Sequence, residues 1–399
     1  MNASKWIKDN KIFFITFGMM MLVSFMYLVK KDIIHYIDNY YYPLYVINYD
    51  CGFCSRLLVG SVFSLFFGDT LGTVNLIRIL MCVYVFSCLI LSIFINNCLK
   101  NTKYDTIGVY AFFIVISPVM LAILRFLGTL DLFWFAFVLS SLCLVDKKGW
   151  RWLVPLFCVI SLGIYELFAT TYLPVMAIAV FYQFVKKSNV SNFIYIAVCA
   201  LVVGAATFYF LIVGDSTMKM TSDLMVEFAR GRLDSQGNTF DEYYLRSAFF
   251  WELPEVEKYS GFSGYIKYNF DMFTAGDASA IKNNIYFIIS NTLSAVPFFC
   301  LVVSALKKSK KPLEKFTFLC CLSTFVFMII NLLLSTDTDR FSLHFLLASL
   351  LILLFFIKEK DSVFSECHDE IIAKIGKNKA VFAIVGFSIA RIVLSGVRF

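Results

Sequence analysis

Long apolar stretches separated by short polar ones dominate the chain. Apolar runs of about 17 to 25 residues are long enough to cross a hydrocarbon core of about 30 Å as helices, whose backbone hydrogen bonds stay internal. The pattern predicts an all-α integral membrane protein with about eleven transmembrane helices. The predicted spans lie near residues 12–29, 74–97, 107–124, 130–145, 152–167, 169–185, 192–213, 284–306, 316–334, 342–357 and 380–397.

Basic residues mark every second loop between these spans. Lysine and arginine in short loops are retained on the cytoplasmic side of a membrane, so the amino terminus is expected in the cytoplasm. Lys30 and Lys31 are the main exception, and their long side chains can snorkel from a helix end. The basic loops carry Lys5, Lys8, Lys11, Lys100, Lys103, Lys147, Lys148, Arg151, Lys186, Lys187, Lys307, Lys308, Lys310, Lys311, Lys315, Lys358 and Lys360.

Composition supports a lipid environment. Of the 399 residues, 60% are hydrophobic and only 16% are charged, whereas soluble domains carry about 25% charged residues. The formal net charge of +7 comes from lysine clusters in loops and not from one continuous basic face, which argues against a nucleic-acid partner. We expect a single polytopic membrane domain over residues 1–399.

One long polar segment interrupts the apolar pattern. Residues 214–283 are rich in aromatic side chains, which argues against disorder, and the charge bias places them outside the cytoplasm. We expect an extracytoplasmic cap loop between helices seven and eight. It begins with a capped amphipathic helix at Ser222–Arg232, whose apolar side carries Leu224, Met225 and Phe228.

Two other segments are short for ordinary spans. The apolar run 57–67 suits a re-entrant or interfacial helix, because it is too short to cross the bilayer. The chain between Arg151 and Lys186 has to cross twice, so we expect a tight hairpin that turns at Glu166–Thr171.

The twelve cysteines lie mostly inside apolar runs, where cysteine acts as a small apolar residue. The exception is Cys51-Gly-Phe-Cys54, whose spacing permits a redox pair or half of a zinc site. No second pair or histidine cluster accompanies it, so a structural role is the main interpretation.

Ionisable side chains near membrane depth are costly, and those that persist usually face a water-filled cavity and mark function. The predicted topology gathers them on the non-cytoplasmic side. In the first outer loop, Asp38 and Asp50 are candidates to remove a proton from a sugar hydroxyl, and Arg56 follows them. The alternative is an interfacial aromatic belt with solvated aspartates.

Two turns between helices add further candidates. Arg125 and Asp131 flank Gly128 between helices three and four, a spacing that suits a phosphate held against its counter-charge. The alternative is a hairpin whose two charges neutralise each other. Glu166 lies at the tip of the later hairpin, in an apolar setting that suits a general acid or base; alternatively it binds Arg125.

The turn between helices nine and ten carries Asp339, Arg340 and His344. Arginine suits bidentate binding of a pyrophosphate, and Asp339 is a candidate to orient it or to bind a divalent cation. The structural alternative is a capping turn with a paired charge. The sequence contains no Gly-x-x-x-x-Gly-Lys, His-Glu-x-x-His or Gly-x-Ser-x-Gly motif, which argues against an ATP-driven pump, a zinc protease and a serine hydrolase.

The arrangement resembles the GT-C superfamily of polytopic membrane glycosyltransferases, and the single large outer loop also looks like that of bacterial O-antigen polymerases. The likeness spans about residues 30 to 345. It rests on a carboxylate-bearing first outer loop, Ser117-Pro118 followed by Arg125, Gly128 and Asp131, Glu166 with Pro174, and Asp339-Arg340.

The resemblance implies an enzyme of surface-polysaccharide assembly, such as that of lipopolysaccharide O-antigen, at the outer face of the bacterial inner membrane. It implies inverting glycosyl transfer or repeat-unit polymerisation from a polyprenyl phosphate or pyrophosphate donor. The implied partners are a polyprenyl-linked sugar or oligosaccharide, membrane lipid and other polysaccharide-assembly proteins. Asp38, Asp50 or Asp131 would be the base for the acceptor hydroxyl, and the departing lipid phosphate would be stabilised by Arg56, Arg125, Arg230, Arg232 and Arg340.

Two alternatives stay open. One is a side-branch transferase that uses a polyprenyl-phosphate sugar. The other is a non-enzymatic flippase or solute transporter, in which charged residues would line a path through the midplane. The predicted spans hold few charges, Arg78 and Arg391 among them, which favours chemistry at one surface.

Overall fold

A computed structural model describes residues 10–30, 41–68, 71–100, 104–116, 127–234, 242, 245–246, 249, 267–268, 270–271, 285, 288–334 and 338–394. The side chains of residues 29, 30, 116, 215, 234, 332–334, 338, 339 and 391–394 lie outside this description. Every regular element in the described part is a helix, which confirms the predicted all-α class.

The helices follow the predicted apolar runs closely. In chain order they are α1 (Lys11–Lys30), α2 (Leu57–Phe67), α3 (Thr73–Leu99), α4 (Asp105–Ile116), α5 (Asp131–Leu144), α6 (Leu153–Ile164), the single turn α7 (Phe168–Thr171), α8 (Leu173–Lys186), α9 (Val190–Phe208), α10 (Ser222–Asp234), α11 (Val296–Lys308), α12 (Pro312–Leu334), α13 (Thr338–Lys358), α14 (Ser362–Ile375) and α15 (Lys377–Leu394). Helix α14 is the one that the apolar pattern did not predict, because it is amphipathic.

Within the described residues, five helices are long and apolar enough to cross a membrane: Lys11–Leu28, Thr73–Leu99, Val190–Val213, Pro312–Asn331 and Arg340–Lys358. A sixth candidate is the bent pair Ile288–Ser294 and Val296–Lys308, whose parts meet at 50°. Helices α4, α5, α6 and α8 coincide with further predicted spans but are shorter. The total of eleven spans therefore stays a prediction, as does the placement of α2 at an interface.

Helix α13 lies at the centre of the bundle. Of its segment Arg340–Lys358, 94% is buried, and it packs against α3, α4, α8 and α12. A helix that is apolar around its whole circumference is stable only where other apolar surfaces or lipid surround it. This central position carries Arg340 and His344, in the first turns of α13, into contact with residues of other helices.

The lysine-rich helix ends lie together, at the end of the bundle opposite Arg340. Lys358 Nζ is 2.8 Å from Asp146 Oδ1, and Lys186 Nζ is 2.7 Å from Glu359 Oε2. Helix α13 runs from Arg340 to Lys358, so its two ends separate the lysine clusters from Arg340. The lysine pattern predicts this separation of the two ends; the side of a membrane that each end faces stays a prediction.

The predicted cap helix is present as α10. Thr221 caps it, because its Oγ1 accepts a hydrogen bond from the Leu224 N–H at 3.4 Å. Its buried side differs in part from the prediction, since Leu224 is 52% exposed. The buried positions are Met225, Val226, Ala229 and Leu233, which follow the helical repeat. Most of the chain from 235 to 283 lies outside the described residues, so the cap loop as a whole stays a prediction.

Candidate functional site

Arg56 lies where two backbone segments meet. It precedes α2 with a φ of 70°, a left-handed conformation that costs a residue with a side chain about 1–2 kcal/mol. Its backbone N–H donates to the carbonyl oxygens of Gly163 and Ile164, each at 3.1 Å. The last carbonyls of a helix lack partners within the helix. The contact therefore caps α6 and fixes Arg56 beside the turn that follows.

Glu166 lies in that turn. The predicted hairpin between Arg151 and Lys186 is present, with α6 ending at Ile164 and α8 beginning at Leu173 after the single turn α7. The hairpin is open, since α6 packs mainly on α5 and α9 whereas α8 packs on α12.

Ser55 and Arg56 together bind the Glu166 carboxylate. Ser55 Oγ donates to Oε2 at 2.5 Å and Arg56 Nε donates to the same oxygen at 3.1 Å, while Arg56 Nη2 donates to Oε1. Such a bidentate arrangement is among the stronger hydrogen-bonded pairs in proteins. The Arg56 and Glu166 side chains are 14% and 15% exposed. The alternative partner suggested by the sequence, Arg125, lies outside the described residues.

Asp131, Arg340 and His344 form a second charged group. Asp131 begins α5, and Arg340 and His344 lie one turn apart on α13. Arg340 Nε and Nη2 each donate to one Asp131 oxygen at 2.5 Å, and His344 Nε2 is 2.9 Å from Asp131 Oδ2. The Arg340 and Asp131 side chains are only 6% and 5% exposed. The sequence alone suggested Arg125 as the counter-charge of Asp131, whereas the structure pairs it with Arg340.

The Tyr165 ring joins the two charged groups. Its centre is 4.7 Å from the guanidinium carbon of Arg56 and 5.5 Å from that of Arg340. Trp134 of α5 stacks on the same ring at 5.4 Å with 20° between the planes. Cations are attracted to aromatic faces at such distances. We call this set the paired-arginine cluster: Ser55, Arg56, Asp131, Tyr165, Glu166, Arg340 and His344.

The other outer arginines lie in different contacts. Arg232 Nη1 donates to the Val46 carbonyl at 2.8 Å, and its Nη2 is 4.0 Å from Asp50 Oδ2. These contacts dock α10 on the segment that carries Asp50, whose side chain is 69% exposed. Arg230 instead pairs with Glu242. The structure thus brings Asp50 and Arg232 together, whereas Arg230 contacts Glu242.

The segment before Asp50 packs tightly on its neighbours. A Cβ added to Gly60 of α2 would lie 1.8 Å from the Ile47 carbonyl oxygen, so only glycine fits there. Tyr45 donates its hydroxyl to the Gly128 carbonyl at 2.7 Å, in the turn before Asp131. The segment is therefore held between α2 and the start of α5.

Three of the predicted site residues lie wholly or partly outside the described part of the chain. Asp38 and Arg125 are not among the described residues, and Asp339 is described by its backbone alone. The divalent cation predicted at Asp339 therefore stays a prediction. Within the described residues, His, Cys, Asp and Glu side chains form no group of three or more that would hold a metal ion.

Cys51 and Cys54 are both buried. Cys54 Sγ lies 3.4 Å from Met218 Sδ, across the contact with the segment before α10. Burial raises the pKa of the Cys51 thiol, although a hydrogen bond with Asn48 lowers it. Redox-active cysteines show the opposite, a lowered thiol pKa. These contacts favour the structural interpretation of the pair.

An apolar groove of about 740 Å³ lies between α6, α8, α9 and α12. Its outer rim includes Phe208, Leu211 and Ile212, which are 59%, 48% and 65% exposed. Ala169 also lines it, and the Ala169 N–H donates to the Glu166 carbonyl at 3.0 Å. The groove therefore reaches from the exposed apolar surface to the turn that carries Glu166.

Sequence reasoning did not single out Ser55, Trp134 or Tyr172. Ser55 adjoins Arg56, which was a usable signal, because a hydroxyl beside a charged residue often shares its partner. Trp134 and Tyr172 lie within apolar runs and give no signal of their own. Their contacts with the cluster depend on how α5, α8 and α13 pack.

Compared with protein-family models, with curated proteins and with solved structures, the chain gives no significant match.

Proposed function

We propose that the chain transfers a glycosyl group from a polyprenyl phosphate or pyrophosphate donor to an acceptor hydroxyl, in surface-polysaccharide assembly at the outer face of the bacterial inner membrane. The observation that supports this best is the paired-arginine cluster, in which two guanidinium groups lie beside one tyrosine ring. The cluster lies at the end of the bundle away from the lysine-rich helix ends. Single-sugar transfer and repeat-unit polymerisation would both use the same displacement at the anomeric carbon of the donor sugar.

Arg56 is the proposed phosphate-binding residue. Its side chain is 14% exposed, compared with 6% for Arg340, and a guanidinium group matches phosphate oxygens in a bidentate manner. Glu166 fixes the Arg56 guanidinium before any ligand binds, so less orientational freedom is lost during the reaction. Arg340 adds a second positive charge beside Tyr165.

Asp50 is the proposed base. A general base has to reach the proton that it removes, and both oxygens of Asp131 are occupied by Arg340. Asp131 is also 5% exposed, whereas Asp50 is 69% exposed. In this proposal Asp131 holds Arg340, and Asp50 accepts the proton. Asp38 stays a second candidate.

The proposed reaction is a direct displacement. The acceptor oxygen bonds to the anomeric carbon as the bond between that carbon and the donor phosphate oxygen breaks. The hydroxyl proton passes to the Asp50 carboxylate, and the electron pair leaves with the lipid phosphate. Arg56 stabilises the charge that develops on that phosphate. A single displacement of this kind inverts the anomeric configuration.

The groove between α6, α8, α9 and α12 supports a donor with a long apolar chain. Burying such a chain is favourable by about 25 cal/mol for each Å² removed from water, and lipid-exposed apolar walls let it enter from the side. Since Ala169, which lines the groove, lies beside Glu166, a chain seated in the groove is able to place its phosphate near Arg56.

The test is an analysis of lipid-linked glycans in a strain that lacks the gene. Loss of the glycan ladder with single repeats retained supports polymerisation, and a uniformly lighter repeat supports single-sugar transfer. Unchanged glycans contradict the proposal. Accumulation of complete units on the inner face supports the flippase alternative instead.

Complementation then tests the cluster. We expect Arg56→Ala to leave the glycan defect in place. The matched control is Arg78→Ala, whose guanidinium makes an exposed contact with Asn75, and it should restore the glycans at an equal protein level. If Arg56→Ala restores the glycans, the activity does not need Arg56, and the proposed role of the paired-arginine cluster is contradicted.

A further inference from the structure

Beneath Arg340, hydrogen bonds link two helices and the residue that precedes a third. The hydroxyl of Tyr172, directly before α8, is 2.9 Å from His344 Nδ1, and His344 Nε2 is 2.9 Å from Asp131 Oδ2. Asp131 in turn holds both donating nitrogens of Arg340. We propose that the Tyr172 hydroxyl, by donating to Nδ1, fixes the orientation of the His344 imidazole, whose proton is on Nε2, and that His344 thereby holds Asp131 in the orientation that positions Arg340. The effect on catalysis rests on the proposed function, whereas the proton position does not.

The direction of each hydrogen bond follows from the partners. Asp131 is ionised, because it forms a bidentate pair with Arg340, and an ionised carboxylate only accepts hydrogen bonds. His344 Nε2 must then be the donor. A neutral imidazole has one donor and one acceptor nitrogen, so Nδ1 accepts and the Tyr172 hydroxyl donates.

Charge balance favours the neutral imidazole. Arg340 already neutralises Asp131, and all three side chains are about 5% or 6% exposed. A second positive charge at His344 would have no further carboxylate beside it among the described residues, and an unpaired charge in a buried site is costly. The arrangement with a proton only on Nε2 satisfies each partner without adding charge.

Aromatic rings enclose the imidazole. The ring of Trp134 lies 5.8 Å from that of His344 at 87°, and the ring of Tyr172 lies 5.5 Å from it at 86°. The Tyr172 and Trp134 side chains are fully buried. Within the described part of the chain, Trp134 Nε1 has no nitrogen or oxygen partner, which fits a site packed with rings. The Tyr172 hydroxyl is thus the group that fixes the orientation of the His344 ring through Nδ1.

Removing that hydroxyl should release the orientation of the imidazole. In Tyr172→Phe the ring packing stays, but Nδ1 loses its donor and the imidazole is able to turn. The Nε2–H would then no longer be aimed at Asp131, and the carboxylate and Arg340 would shift. Displacements of about 1 Å at a reacting centre cost up to about 100-fold in rate, so Tyr172 and His344 act as positioning residues and not as catalytic ones.

The first measurement is the nitrogen NMR spectrum of the full chain in lipid nanodiscs, with ¹⁵N-labelled histidine. The chain has three histidines, and His344→Gln assigns the signal. We expect a neutral ring protonated on Nε2, and in Tyr172→Phe a shifted Nδ1 signal, because that nitrogen loses the hydrogen bond from Tyr172. A wild-type ring that is protonated on Nδ1 or on both nitrogens overturns the inference, and so does an unchanged Tyr172→Phe signal.

The second measurement is glycosyl transfer by the same samples. We expect kcat of Tyr172→Phe to fall about 10- to 100-fold, with a smaller change in donor KM. The control is Tyr182→Phe, in the helix α8 that begins directly after Tyr172, which removes a hydroxyl that donates to Asp361 at 2.5 Å at the opposite end of the bundle. It should keep its activity at a similar loss of melting temperature.

The two proposals fail in different ways. A wild-type protein that transfers no sugar contradicts the proposed function, while the NMR result still decides the tautomer. A Tyr172→Phe protein that shows the shifted Nδ1 signal yet keeps wild-type kcat overturns the positioning role. Equal activity losses in Tyr172→Phe and Tyr182→Phe also overturn it, because they indicate a general structural effect.

Discussion

Arg56 and Glu166 are fixed to each other through two separate contacts. The Arg56 guanidinium binds the Glu166 carboxylate, and the Arg56 backbone N–H binds the carbonyls of Gly163 and Ile164 just before it. A pair anchored through both side chain and backbone keeps its orientation without a ligand. This explains why Arg56 retains a left-handed backbone, since the surrounding contacts offset its cost.

The buried pair of Asp131 and Arg340 should be much more sensitive than pairs at the lysine-rich end. Arg340→Met leaves the Asp131 charge without its cationic partner. We expect the free energy of unfolding to fall by about 3–5 kcal/mol. Unfolding in detergent measures it. The double variant Arg340→Met with Asp131→Leu should recover part of the loss, because no buried charge is left alone.

The control for that experiment is Lys377→Met. Lys377 pairs with Asp105 at 2.6 Å, but both side chains are more than half exposed, so we expect little change in stability. Equal losses in the single and double Arg340 variants would contradict the proposed electrostatic cause.

Gly60 should be intolerant of even a methyl group. In Gly60→Ala the added Cβ meets the Ile47 carbonyl oxygen at 1.8 Å, so α2 and the segment before Asp50 have to move apart. We expect a lower melting temperature and a loss of transfer activity. Gly18→Ala is the matched helical control, with no heavy atom within 4 Å of the new Cβ. Similar melting temperatures for both variants would show that the close approach is not required.

The groove should control the use of donors with long chains. Ala200 of α9 lines it, and Ala200→Trp fills part of its volume. We expect a higher KM for a long polyprenyl donor and little change for a short-chain analogue, measured in the same transfer assay. Ala197→Trp, one turn earlier on the same helix and outside the groove, is the control. An equal rise in KM for both donors would argue against chain binding there.

The sidedness of the chain can be tested with reporter fusions. The lysine bias predicts that a fusion after Lys187 is active with a cytoplasmic reporter and that a fusion after Lys219 is active with a periplasmic one. The reverse result would place α10 and the paired-arginine cluster towards the cytosol. The proposed chemistry at the outer face would then be excluded.

Apolar run length and charge bias were enough to predict the helices and their grouping into two ends. Each predicted span overlaps a described helix, because a chain in lipid has few other ways to satisfy its backbone. Helix α14 was missed because its exposed Glu366, Asp369 and Glu370 alternate with buried residues, so no long apolar run marks it. The bend after Ser294 was also missed, since the apolar run continues through it.

The partners within the site were harder to predict. The sequence predicted five residues of the cluster as site candidates: Arg56, Asp131, Glu166, Arg340 and His344. Their pairing could not be predicted, because it depends on contacts between distant segments. Arg340 and Asp131 are 209 positions apart in the sequence, and nothing local indicates which arginine reaches which carboxylate. Tyr172 is uncharged and lies in an apolar run, so nothing in the sequence marked it as a candidate. Its hydroxyl nevertheless forms the hydrogen bond to His344 Nδ1.

The most direct test of the central claim is glycosyl transfer by the purified chain in proteoliposomes, with a polyprenyl-linked sugar donor. The wild-type protein should transfer sugar to an acceptor hydroxyl. Arg56→Lys keeps the charge but loses the bidentate geometry, and it should lower kcat/KM by roughly 100-fold, since each 1.4 kcal/mol of lost transition-state stabilisation is about tenfold. Arg78→Lys should match the wild type. Equal activity in all three proteins, or none in the wild type, would contradict the account.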